Sequence, residues 1–150
     1  NSVRATIGKT TGKWYWEMDI DTTPTGNGIL IGISTSSQTA TGYPGDGGGG
    51  GGYGCQSRPA STPLVYFGGS SGSPTSSSTN FVAGDVVGFA LDADGDTLDV
   101  YINNVLHQHW TGLAASTWYP CAGLYDVTMQ VTIAETLTYT PPSGYTQLEP

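Results

Sequence analysis

The stretch from Gly84 to Trp110, GDVVGFALDADGDTLDVYINNVLHQHW, contains three apolar runs separated by two polar turns. Asp94-Gly95 lies in the first turn and Asn103-Asn104 in the second. These residue types tolerate the positive φ that a tight hairpin requires. Within each run the side chains alternate between two faces, which is the period of a β-strand. The stretch therefore predicts a three-stranded antiparallel meander, with strands at Val86 to Leu91, Leu98 to Ile102 and Val105 to Trp110.

The rest of the chain also favours strands, and no segment carries apolar residues at helical spacing. Further strands are predicted at Val3 to Ile7, Lys13 to Ile20, Gly28 to Ile33, Tyr53 to Ser57, Leu64 to Phe67, Trp118 to Leu124 and Thr128 to Ala134. The tail from Tyr139 to Leu148 is expected to pack across a sheet. Short strands separated by turns predict an all-β sandwich of two antiparallel sheets. We expect a single domain over residues 1–150, excerpted or processed from a longer chain because no starting Met is present.

Two segments, Ser34 to Gly52 and Gly68 to Thr79, show no strand pattern. The first ends in six consecutive glycines, Gly47 to Gly52, each of which is costly to order. A flexible linker is the favoured interpretation. The alternative is a loop whose backbone approaches a partner closely or packs within an assembly. Tyr43 and Tyr53 flank the glycines and are the side chains that could recognise a partner there.

The charge of the chain excludes several functions. Four basic residues stand against twelve acidic ones, for a net charge of −8, and only 11% of residues are charged. Nucleic acids and anionic membranes both require a basic surface, so neither is an expected partner. No apolar run is long enough to insert into a membrane, and no signal peptide is present. An acidic, glycine-rich β-protein is typical of extracellular and virion components.

The residues that could carry chemistry have simpler interpretations. Cys55 and Cys121 lie far apart, and two buried thiols are favoured over a disulfide. His107 and His109 are predicted to share one strand face, but they lack the third ligand that zinc needs. The four tryptophans could stack on sugars, although their strand positions favour core packing. The meander also contains an acidic cluster, Asp92, Asp94, Asp96 and Asp99. These aspartates are better explained as turn formers and solvent-facing strand residues than as the ligands of a calcium loop.

No catalytic pattern emerges either. Glu17 and Asp19 share a strand face, but glycosidase carboxylates must oppose each other across a groove. The only arginines, Arg4 and Arg58, do not form an anion clamp. The chain contains no HExxH motif and no phosphate loop. We therefore expect a protein that is not an enzyme, with no catalytic residues, no metal ligands and no cofactor.

Four segments in order resemble the SPRY domain, the core of the PRY-SPRY family. GKWYWEMDI from Gly12 resembles an early strand of the family, and GILIGIS from Gly28 resembles the strand that follows. The meander resembles the longest family signature, with Asn103-Asn104 where Asn-Gly is usual. WYPCAGL from Trp118 and PPSGYTQL from Pro141 resemble the closing strand and tail.

The resemblance implies a bent sandwich in the concanavalin-like jelly-roll class. It also implies a binding module that holds protein or peptide partners in loops at one end of the sandwich. By position, Tyr66, Tyr125 and Asp126 match places where family members contact peptide. Together with Tyr43 and Tyr53, they are the predicted partner-binding residues, since aromatic anchors supply contact area at low entropic cost.

The leading hypothesis is a non-catalytic recognition or assembly module of a virion, tail fibre or other extracellular structure, bound to a protein or cell-surface partner. The first alternative is an intracellular, cytoplasmic peptide-binding adaptor domain. The second is a carbohydrate-binding module with a glycan partner. A homo-oligomer with the glycine-rich loops as contacts also stays open.

Overall fold

A computed structural model describes residues 1–47, 51–59, 61–125 and 128–149. The described residues form β-strands, turns and loops without a helix, so no helix that could cross a membrane occurs among them. The strands are β1 Ser2–Arg4, β2 Lys13–Ile20, β3 Ile29–Ser34, β4 Tyr53–Ser57, β5 Leu64–Phe67, β6 Ser70–Gly72, β7 Val86–Asp92, β8 Thr97–Ile102, β9 Val105–Thr111, β10 Tyr119–Leu124, β11 Val131–Ile133 and β12 Thr146–Gln147.

The strands form two sheets that pack face to face. The first sheet has the order β1-β10-β3-β4-β5-β6 and is antiparallel throughout. The second has the order β11-β2-β7-β8-β9, with β12 running parallel to β2. The predicted sandwich of two antiparallel sheets is confirmed, with this one parallel pair contributed by the tail.

Alternation along the strands places apolar side chains between the sheets. The rings of Trp16 and Phe89 stack at a centroid distance of 5.3 Å. Trp110 and Trp118 are also buried, so these three tryptophans serve the core and are not available to stack on sugars. The fourth, Trp14, lies under the ammonium group of Lys9 at 3.6 Å.

The predicted meander is present as β7, β8 and β9, but its first turn differs from the expectation. Asn103 and Asn104 both have positive φ, at 49° and 64°, as the sequence predicts. In the first turn Asp96, and not Asp94 or Gly95, has positive φ. The carboxylate of Asp92 accepts a hydrogen bond from the Gly95 backbone amide at 2.8 Å, and this contact closes the turn. The residue with positive φ therefore lies one position after the predicted Asp94-Gly95 pair.

The prediction that His107 and His109 share a strand face is wrong. The pairing of β8 with β9 shifts between Val100 and Tyr101, and this bulge adds one residue to β9. An extra residue reverses the alternation that follows it. His107 is consequently buried, whereas His109 is exposed beside Asp99.

Other segments depart from the sequence prediction at their ends. The Gly68 to Thr79 loop contains a strand that was not predicted, β6, which pairs with β5. The strand predicted at Thr128 to Ala134 is confined to β11. The tail does pack across a sheet, and Leu148 is buried in the core. Both cysteines are free and buried, and Cys55 belongs to the core. The prediction of two buried thiols without a disulfide is therefore confirmed.

Candidate functional site

We refer to residues 35–47 as the crossing loop, since from Ala40 onward they lie against the outer face of the first sheet. The Ala40 carbonyl accepts a hydrogen bond from the Ser2 amide at 2.8 Å. The Gly45 carbonyl accepts one from the Gly69 amide at 2.9 Å. Pro44 and Gly45 are buried. The flexible-linker interpretation is therefore wrong for this segment, while Gly48, Gly49 and Gly50 lie outside the described residues.

Glycines in the strands beneath make room for the crossing loop. A Cβ atom at Gly123 would lie 3.2 Å from the Cβ of Tyr43. One at Gly54 would lie 2.6 Å from the Pro44 carbonyl oxygen. These contacts are tighter than ordinary van der Waals separation, so the loop can lie this close only because both strand positions lack a side chain.

Replacing Gly54 with alanine is expected to displace the crossing loop and destabilise the protein by about 1–3 kcal/mol, because the Pro44 carbonyl is backbone and cannot turn away. Gly72→Ala is the matched control, since that strand glycine has nothing within 4 Å of its Cβ direction. Urea denaturation measures both variants. Equal stability of the two would contradict this account of the loop.

The crossing loop brings together three of the predicted tyrosines, Tyr43, Tyr66 and Tyr125, which we call the tyrosine cluster. The rings of Tyr43 and Tyr66 meet edge to face at a centroid distance of 5.3 Å. Tyr125 follows β10 and is 48% exposed. Tyr43 and Tyr125 both line a pocket of about 40 Å³, and Gly123 lines it as well. The cluster thus combines aromatic surface with a small concavity.

Hydrogen bonds hold two members of the cluster in place. The Tyr66 hydroxyl donates to Gln56 Oε1 at 3.1 Å, and Gln56 Nε2 donates to the Asn27 carbonyl at 2.6 Å. Tyr43 begins a turn in which the Asp46 amide donates to the Tyr43 carbonyl at 3.0 Å. The Tyr66 side chain and the Tyr43 backbone are thus already ordered, which lowers the entropy lost when a partner binds.

The turn also identifies Asp46 as a site residue that the sequence prediction missed. Its Oδ2 accepts a hydrogen bond from the Tyr43 amide at 3.2 Å. The signal in the sequence was the run Tyr43-Pro44-Gly45-Asp46, because Pro-Gly at the centre of four residues is typical of a type II turn. Gly45 has the positive φ of 92° that such a turn requires.

The hydroxyls of Tyr66 and Tyr125 remain neutral at physiological pH. Burial raises the pKa of Tyr66, and the neighbouring Tyr43 raises it further. Burial also raises the pKa of Tyr125, with smaller contributions from Tyr43, Tyr66 and Asp46. The cluster can therefore offer hydroxyl groups as hydrogen-bond donors and rings as apolar contacts.

The other two predicted residues lie elsewhere. Tyr53 points toward the core, with its ring 5.5 Å from that of Trp110 and 5.7 Å from that of Trp118. Its position follows from strand alternation, since Tyr53 and Cys55 face the same side of β4. Asp126 lies outside the described residues.

The acidic residues of the meander make contacts within the fold. Lys13 forms an ion pair with Asp92 at 2.9 Å, and this contact lowers the pKa of Asp92. Asp94 accepts a hydrogen bond from the Gly12 amide at 3.0 Å. In the described part of the chain, no three His, Cys, Asp or Glu side chains come together as metal ligands would.

Comparison with known proteins agrees with this geometry. A family model described as SPRY domain matches residues 13–136. The fold is similar to the SPRY domain of human HERC1, with a TM-score of 0.68 and 22% identity over 88% of this chain and 80% of that one. It is also similar to the TRIM65 PSpry domain, with a TM-score of 0.70 and 17% identity over 90% and 71% of the two chains. No curated protein sequence matches the chain.

The two structural similarities concern the fold, since both identities are low. The match to the family model, in contrast, rests on the amino-acid sequence and covers most of it, from β2 to the residues after β11. Because the match covers that length and the sandwich has the expected form, the chain belongs to the SPRY domain family.

Proposed function

We propose that this domain is a non-catalytic recognition module that holds a segment of a partner protein against the tyrosine cluster. SPRY domains are in general protein-interaction modules. The observation that carries the proposal is the group of three tyrosines brought together by the crossing loop, with one ring half exposed beside a pocket. Exposed tyrosines on a rigid support are typical of binding hot spots.

Selection of peptides on the purified domain tests the proposal without requiring an identified partner. Peptides of about twelve residues, enough to span a cluster of this size in extended form, are selected from an unbiased display library. Their affinities are then measured by fluorescence polarisation. Tyr125→Ala is expected to weaken the selected peptides about tenfold or more, because hot-spot truncation typically costs above about 1 kcal/mol. Tyr43→Ala is expected to act in the same direction.

Tyr145→Ala is the control, since that tyrosine lies in the tail beside Lys13 of the second sheet. It should leave the affinities unchanged. If all selected peptides bind the Tyr125→Ala variant as tightly as the original domain, the tyrosine cluster is not the binding surface. A glycan array run on the same variants tests the carbohydrate alternative, which requires a glycan signal that depends on Tyr125.

We also propose an extracellular or virion setting for the domain. Its support is compositional: the low charged fraction of 11%, the 23 glycines and the net charge of −8. The family fits a cytoplasmic adaptor equally well. The coding sequence on either side discriminates between the two, since a RING or SOCS-like motif beside the domain would exclude the virion setting.

A further inference from the structure

The tyrosine cluster lies in an acidic environment. Asp46 belongs to the turn that begins at Tyr43, and its charge contributes to the raised pKa of Tyr125. The chain as a whole carries a net charge of −8. Aromatic ring faces are themselves electronegative. Negative charge and ring faces together attract cations and disfavour acidic partners.

The basic residues of the chain already have partners of their own. Arg4 lies 4.2 Å from the ring centroid of Tyr119, and Lys9 lies over Trp14. Lys13 pairs with Asp92. Arg58 is near enough to Tyr66 to lower the pKa of its hydroxyl slightly. The Arg58 guanidinium itself donates two hydrogen bonds to the Thr62 carbonyl, at 3.1 and 2.8 Å.

The cluster therefore differs from the rings of Tyr119 and Trp14. Tyr119 and Trp14 are each covered by a cation of the same chain. Among the described residues, no Lys or Arg lies over the ring of Tyr43, Tyr66 or Tyr125. These three rings form an aromatic surface that no lysine or arginine in the described part of the chain covers.

We infer that the partner segment inserts an arginine or lysine side chain at the tyrosine cluster, beside Asp46. This inference rests on the proposed function, and it names the chemistry of the partner. Arginine is the better fit, because its planar guanidinium stacks on rings and is weakly hydrated.

The peptides selected in the display experiment also test this inference. We expect them to be enriched in arginine and lysine relative to the starting library. Replacing the key arginine with citrulline, which has nearly the same shape and no charge, should weaken binding about tenfold. Binding of the arginine peptide should also weaken as salt is raised from about 50 to about 500 mM, since screening reduces attraction between exposed charges.

Asp46→Asn removes the acidic group and should weaken arginine peptides about threefold to tenfold while affecting citrulline peptides little. Asp96→Asn is the control, because it makes the same change in net charge and asparagine tolerates the positive φ of 53° at that position. It should leave both affinities unchanged.

The possible outcomes separate the inference from the proposed function. If selected peptides require Tyr125 but lack basic residues, or tolerate citrulline, the inference is overturned and the proposed function stands. If no peptide depends on the tyrosine cluster, both are overturned. Enrichment of basic residues with loss on both citrulline substitution and Asp46→Asn supports the inference.

Discussion

Replacing Glu17 with alanine is expected to lower the free energy of unfolding by about 3–5 kcal/mol, because the variant removes a buried carboxylate and leaves the buried Tyr15 hydroxyl and two part-buried backbone amides without an acceptor. The Glu17 side chain is fully buried and accepts three hydrogen bonds. The donors are the Tyr15 hydroxyl at 3.0 Å and the backbone amides of Thr138 at 2.6 Å and Tyr139 at 2.9 Å. The carboxylate thereby attaches the tail to the second sheet.

Urea denaturation and amide hydrogen exchange check this prediction. Exchange at Thr138 and Tyr139 should accelerate more than exchange in the β7–β8 hairpin, because the tail loses its attachment before the sandwich opens. Glu17→Gln should be intermediate, since one acceptor oxygen remains. Asp19→Asn, two residues along the same strand face but less buried, should cost under about 1 kcal/mol. A loss for Glu17→Ala as small as that of Asp19→Asn would contradict the attachment role.

Glu17 also shows what the sequence could and could not predict about the fold. The alternation in β2 correctly places Trp16, Met18 and Ile20 on the core side. It equally predicts that Tyr15 and Glu17 face solvent, yet both are buried. Period-two alternation reports which residues share a face, and it carries no information on whether a distant segment covers that face.

The crossing loop illustrates the same limit on the first sheet. Strands β7 to β9 were predictable because their hairpin turns and alternation are local signals. In contrast, Pro44 lies over Gly54, which belongs to a different segment of the chain, and the loop has no periodic pattern that could have predicted this contact. A run of small and polar residues therefore reads as flexible even where it is packed and hydrogen-bonded.

For the candidate site, the sequence placed Tyr43, Tyr66 and Tyr125 in loops or at strand ends, and the structure brings them together. Tyr53 could have been assigned to the core from the sequence alone. In YGCQS the positions between Tyr53, Cys55 and Ser57 hold only glycine and glutamine, so the apolar face is the one that carries Tyr53 and Cys55. The neighbouring glycine run indicates a loop, but strand parity is the better guide at this position.

The stability of the protein is expected to fall by about 3 kcal/mol as pH decreases from 6.5 to 4, through His107 alone. Burial lowers the pKa of His107 from 6.5 to about 4. The unfolded chain therefore binds a proton in this range that the folded chain does not, so protons favour unfolding. The penalty is absent above pH 6.5 and complete below about pH 4.

The surroundings of His107 explain where an acid-induced opening should begin. Its two ring nitrogens have no hydrogen-bond partner among the described residues, so a charged ring would have nothing to neutralise it. The backbone carbonyl of His107 accepts hydrogen bonds from the Ser76 and Ser77 amides, both at 3.2 Å. The neighbouring Gln108 side chain accepts one from the Thr75 amide at 2.8 Å. Protection of the Ser76 and Ser77 amides, taken relative to the intrinsic exchange rate at each pH, should therefore fall first on acidification.

His107→Leu removes the titrating group and should flatten the dependence of stability on pH between 6.5 and 4, whatever its effect on absolute stability. His109→Gln is the matched control, since it removes the other histidine, which is exposed and paired with Asp99 at the surface. Surface pairs contribute little, so the control should retain the original slope. Urea denaturation at half-unit pH intervals measures all three proteins. If the slope of the original protein equals that of His107→Leu, burial does not oppose the protonation of His107.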